Sequence, residues 1–134
     1  MSSPQQTVEQ RRAADAWVRI SSDVKGKKFE GEYKSLARSL PADILTNGLG
    51  QTLAFLCSKG KKDSRFKDDS EHATLYQHVS AWVVREMEWG SDDLLDRLID
   101  ENTGSDDYRR ATVETLAYLV WLKRFAEAEL KGGE

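Results

Sequence analysis

Residues 47–62 read NGLGQTLAFLCSKGKK. The stretch admits two folds: a glycine-rich phosphate cradle in an α/β sheet, or the junction between two helices. The cradle fails on spacing. Gly48-Leu49-Gly50 has no third glycine and no preceding hydrophobic strand, so the dinucleotide fingerprint is missing. Gly60-Lys61 is followed by Lys62 rather than Ser or Thr, and residue 55 is Phe, which excludes the other phosphate loop. As helix punctuation the stretch is coherent. Asn47-Gly48 tolerates the left-handed conformation that ends a helix. A second helix then runs to about Lys59, with Leu49, Leu53 and Leu56 inward and Phe55 expected to join them, and Gly60 ends it. Gly50, one turn into that helix, is expected to let another backbone approach closely.

Outward from this junction the chain continues as helices. Val8, Ala13, Trp17, Ile20 and Val24 define one face of a helix over 5–23. Here Arg12 with Asp15, and Arg19 with Asp23, lie one turn apart and are expected to pair. After the loop KGKK (25–28), a helix over 29–40 turns Tyr33, Leu36, Ala37 and Leu40 inward. Pro41 suits the first turn of a short helix of its own, with Ile44 and Leu45 expected to anchor it. Residues 60–69 read as an exposed loop. Ser70 caps a helix reaching Trp89, Ser91 caps another bearing Leu94, Leu95, Leu98 and Ile99, and Gly104-Ser105 opens a last helix over 106–131. That helix is apolar on every side between Leu116 and Leu122, which places it at the centre of a bundle. The expectation is an all-α bundle of six to seven helices forming a single domain over 1–134, frayed at 1–5 and 131–134.

Composition agrees. The chain has 134 residues, 32% charged and 9% aromatic, with only two prolines; that length buries a core without disulfides or metal. One cysteine, Cys57, cannot staple the fold, and no apolar run approaches the roughly 20 residues that span a bilayer. A soluble, cytoplasmic protein with no membrane partner is expected. The net charge of −3 gives no general warrant for nucleic-acid binding, so local charge has to carry that case.

Two charge clusters stand out. Residues 91–107 hold seven Asp or Glu against Arg97, a local charge of −6. Asp92-Asp93 and Asp106-Asp107 each follow a serine at a helix start, so capping accounts for them better than a metal site. His72 and His78, six apart, face opposite sides of a helix and form neither a metal nor a catalytic pair. No serine or cysteine has a base at hand, so no catalytic residue, cofactor or metal is expected. Residues 59–67, KGKKDSRFK, hold five basic residues against one aspartate, a local charge of +4. Phe66 stands among them, placed to stack on a base. Arg109-Arg110 and Lys123-Arg124 are 14 residues apart, nearly four turns, and share a face of the last helix, about 21 Å apart. Val113, Leu116 and Val120 between them are expected to pack, leaving the ends in solvent, with Arg110–Glu114 as an ordinary ion pair.

Three segments then carry a resemblance. ADILTNGLGQTLAFLCSK (42–59), YRRATVETLAYLVWLKRFAEAEL (108–130) and RRAADAWVRI (11–20) resemble, in order and spacing, the small α-helical subunit of the type III-B CRISPR effector, the Cmr complex. The resemblance covers most of the chain. It implies a non-catalytic subunit of a guide-RNA-directed complex, with copies stacked head to tail beside other Cmr subunits and a basic surface facing guide and target RNA. RNA cleavage and second-messenger synthesis belong, by the same implication, to other subunits. Lys59, Lys123 and Arg124 close matching motifs, and Arg11 and Arg12 open another. For Lys61, Lys62, Arg65 and Lys67 the support is local charge, and Arg110 shares the face of Lys123 and Arg124. These ten are the candidate RNA contacts. The alternatives are a helical adapter touching only protein, and a small hydrolase built on the aspartates of 92–107.

Overall fold

A computed structural model describes residues 4–134. Its elements are α1 (Val8–Arg19), α2 (Glu30–Asn47), α3 (Leu49–Gly60), a hairpin of β1 (Lys61–Lys62) and β2 (Arg65–Phe66), α4 (Glu71–Glu86), α5 (Leu94–Leu98) and α6 (Ser105–Glu129). A π turn, Ile20–Val24, extends α1. Residues 1–3 of the expected frayed start lie outside the described residues.

Thr7 starts α1 with a capping box: its hydroxyl accepts from Gln10 N at 3.1 Å, and the Gln10 side chain accepts from Thr7 N at 2.8 Å. The buried stripe is Ala16, Ile20 and Val24, a spacing of four that the wider π turn preserves. Trp17, expected inward, is 44% exposed and lies edge-on to Phe125.

Pro41 starts no helix. α2 runs unbroken from Glu30 to Asn47, with Tyr33, Ala37, Leu40 and Ile44 buried on one face. An interior proline loses one backbone hydrogen bond and crowds the preceding turn. Breaking the helix there would take Ile44 off the face it shares with Leu40, so continuity wins and the bundle has six α-helices among the described residues. Gly48 at φ 88° ends α2, as its sequence suggests, and α3 begins at the next residue.

The centre of the bundle is α4 rather than α6. Nine of the 16 residues of α4 are buried, and it packs against α2, α3, α5 and α6. α6 keeps an open side, with Val113 61% and Val120 49% exposed, because the apolar residues around its middle outnumber the partners available to cover them. Ser70 caps α4 by accepting from Ala73 N at 3.1 Å. Ser91 caps nothing: α5 is a short helix capped by Asp93, which accepts from Asp96 N. Gly104, without a side-chain bond, occupies the cap of α6, and Ser105 is its first helical residue. The tail beyond α6, expected to be frayed, is non-helical and runs along the first half of α2, where Arg38 donates to the Gly133 carbonyl at 2.8 Å.

Candidate nucleic-acid interface

The expected loop after α3 is a tight hairpin, and Gly60 sets its position. A Cβ on Gly60 would lie 2.6 Å from Ala73 N and 2.8 Å from its Cα, so only glycine lets the end of α3 touch the start of α4. The chain reverses at Asp63 and Ser64, both left-handed (φ 53° and 66°), the conformation that joins two strands through two residues. Lys62 pairs with Arg65, Lys61 pairs with Phe66, and Lys67 N donates to the Gly60 carbonyl at 2.8 Å.

Alternation along the strands sorts the side chains. Phe66 turns in and stacks on Tyr76, ring centres 5.6 Å apart, and the Lys61 ammonium sits 4.7 Å from the Phe66 ring centre. Phe66 is therefore an anchor of the hairpin rather than a free platform for a base, and Lys61 is half-buried over it. Lys62 and Arg65 turn out and stand opposite each other, with Lys59 and Lys67 exposed on either side. Like charges opposite across a ladder destabilise it. Among the described residues none of these four cations forms a salt bridge.

The tetrapeptide KGKK also occurs at 25–28, which sequence reasoning passed over as a loop. Lys27 and Lys28 border an open cleft of about 830 Å³ that also touches His72 and Lys131. Burial lowers the His72 pKa; Glu71 opposes this, and the fields of Lys59 and Lys67 lower it further, so the hairpin cations act on the same end of the bundle. The repetition of KGKK was the available signal for Lys27 and Lys28.

Other candidates are engaged elsewhere. Arg11 pairs with Glu86 at 2.6 Å. Arg12 forks onto both Glu114 oxygens at 2.7 and 2.8 Å and reaches Glu9 at 2.7 Å, not Asp15 as expected. Glu114 also accepts from Trp82 Nε1 at 2.9 Å. Burial opposes ionisation of Glu114, but the Arg12 and Trp82 hydrogen bonds outweigh it and hold its carboxyl below the usual range. Arg12 is thus a bolt between α1 and α6. With Glu114 taken, Arg110 turns to Asp107 at 3.5 Å instead of forming the expected pair. Lys123 is half-buried and Arg124 exposed, beside a groove lined by Pro41, Leu45, Leu116 and Val120. Val113 and Val120 do not pack, whereas Leu116 between them does, so the face from Arg110 to Arg124 is open on either side of Leu116.

The acidic segment is occupied locally: Asp92 with Arg97, Asp106 with Arg109, and Asp93 as a cap. Among the described residues no group of three or more His, Cys, Asp or Glu is placed to hold a metal. His78 is buried between Tyr33 and Asp23, each 2.8 Å away. Asp23 accepts from Nε2–H, so Nδ1 accepts from the Tyr33 hydroxyl, and a neutral imidazole satisfies both partners. Burial pushes the His78 pKa down to about 4 despite Asp23. No helix among the described residues is long and apolar enough to cross a membrane.

Known proteins match this architecture along nearly all its length. The family model "CRISPR-associated protein (Cas_Cmr5)" matches residues 8–129. The CRISPR system Cmr subunit Cmr5 of Thermus thermophilus is 33% identical over 119 residues, covering 87% of this chain and 90% of that protein. The crystal structure of a CRISPR-associated Cmr5 family protein, also from Thermus thermophilus, superposes with a TM-score of 0.70 at 29% identity, covering 95% of this chain and 100% of that one. The chain belongs to the Cmr5 family of CRISPR-associated proteins, the small helical subunit of the type III-B Cmr complex.

Proposed function

We propose that the chain is a non-catalytic structural subunit of an RNA-guided, RNA-targeting complex, stacking along the filament and laying its hairpin cations on the RNA backbone. The observation that carries this reading is the hairpin itself: Lys59, Lys62, Arg65 and Lys67, exposed and unneutralised on a rigid turn anchored by Phe66. Cations spaced along a ridge suit phosphate tracking, which positions a strand without itself reading its sequence. The hydrogen bond from Gly50 N to the Tyr108 hydroxyl, 2.7 Å, places the start of α6 at the start of α3. The start of α6 therefore lies a helix length, about 18 Å, from the hairpin, so the two ends of α3 present different surfaces, as a head-to-tail association of copies requires.

A second reading, a protein-only adapter, draws on the open α6 face. Exposed Leu45, Val113 and Val120 lie near Arg110 and Arg124, a mixture suited to a subunit contact. Alanine at Lys59, Lys62, Arg65 and Lys67 together separates the two. On the RNA reading the variant assembles normally and captures target RNA weakly; normal capture by an assembled complex would overturn that reading. Failure to assemble would assign these cations to protein contacts.

A further inference from the structure

Between α2 and α3, along the side of α3 that leads to the hairpin, lies a groove of about 600 Å³ lined by Asp43, Asn47, Gln51, Thr52, Ala54, Phe55 and Ser58. Its chemistry is not that of packing. Phe55 is a large apolar side chain left 43% exposed on the open side of α3, and it is held edge-on by His72, ring centres 5.6 Å apart. Thr52 is 3% exposed, yet its hydroxyl oxygen has no hydrogen-bond partner among the described residues, an orphan of a kind rare in folded proteins. Gln51, Phe55 and Lys59 follow one another at four-residue spacing, so an amide, an aromatic ring and a cation form one exposed stripe running toward the hairpin. Asn47 and Asp43, from α2, face that stripe across the groove.

We propose that this groove takes one unpaired nucleobase from the RNA strand whose phosphates lie over the hairpin, which rests on the RNA-contact reading above. Phe55 supplies the stacking surface, and its contact with His72 fixes the ring before the base arrives. The Gln51 and Asn47 amides each offer donors and an acceptor to a base edge, and Asp43 only accepts. That acceptor keeps phosphate out of the groove and favours a base with an exocyclic amino group over uracil. Rotation of the Thr52 side chain gives its orphan hydroxyl a partner at the base edge. Lys59, one turn beyond Phe55, meets the phosphate of the same nucleotide. Stacking plus one adjacent cation is the arrangement by which single strands are held without a long sequence code.

The test uses the assembled complex and target RNAs in which single positions are replaced, one at a time, by the fluorescent base 2-aminopurine. The expected result is a position at which emission is quenched on binding, where Phe55→Ala restores emission and weakens capture about fivefold or more, and Phe55→Trp keeps the quenching. Thr52→Val is expected to reduce the preference for an amino-bearing base at that position. Phe55 is exposed, so a thermal melt matching the parent shows that the alanine variant folds. If no position differs in emission between the parent and Phe55→Ala, the inference is overturned; it is also overturned if Phe55→Ala blocks assembly, since the groove then holds protein. The hairpin alanine variant distinguishes the two levels. Lost capture there with no Phe55-dependent position defeats the groove alone, whereas unchanged capture defeats the RNA reading beneath it.

Discussion

At the scale of single residues, Gly60 and His78 make the sharpest demands. A methyl group at Gly60 meets backbone, which cannot swing aside as a side chain can. Gly60→Ala is therefore expected to cost about 1–3 kcal/mol, read as a lower urea midpoint at unchanged slope. Gly48 differs, since a Cβ there meets nothing within 4 Å and the cost of substitution comes from φ alone. His78 makes stability pH-dependent. Its folded pKa of about 4 lies below the ordinary 6.5, so between those values the unfolded chain binds more protons than the folded one. Stability is then full above pH 6.5, falls as the pH drops, and levels off below about 4. The total loss from this group is about 3 kcal/mol, and His78→Gln should flatten the profile over that window in urea titrations. Asn47-Gly48 and Ser70 were legible in the sequence because a stop and a cap are local chemistry. The roles of Gly60 and His78 were not, because Ala73, Tyr33 and Asp23 reach them from other elements.

At the scale of elements, α2 shows tertiary burial overriding a local breaker. The sequence reading ended a helix at Leu40, but Leu40 and Ile44 lie on the buried face of one continuous helix. The interior proline is a standing cost, so Pro41→Ala is expected to stabilise by about 1–3 kcal/mol, visible as a raised Tm. The hairpin was misread for a related reason. Asp63-Ser64 carries no glycine, and strands of two residues leave no alternation to detect. α5 shortened because Asp93, not Ser91, supplies the cap. The apolar middle of α6 points to the centre, whereas burial depends on how much of an element's surface its neighbours cover: nine of the 16 residues of α4 are buried, against six of the 25 of α6.

At the scale of the molecule, the net charge of −3 conceals a separation of charge that only the fold displays. The all-α class was legible from helical spacing. Which cations stand free was not, because Arg11 and Arg12 are neutralised by carboxylates at positions 86 and 114. Replacing Lys62, Arg65 and Lys67 by alanine is expected to reduce the slope of log affinity against log salt by about 2 for single-stranded target, measured by filter binding on the assembled complex. An Arg12→Met variant should leave that slope unchanged while lowering Tm.

The Arg12–Glu114 fork also joins positions 102 apart in the chain, and Lys25–Glu129 joins positions 104 apart. Closing so long a loop gives up chain entropy before any contact compensates for it, while the α2–α3 corner closes over a single residue. In kinetic terms, the α1–α6 seam forms late and opens early. Substitutions along it should speed unfolding while leaving the folding rate nearly untouched, and the amides of α1 should exchange with solvent before those of α4. The two ends of the chain thus close the bundle last, like a clasp fastened after the body is already in shape.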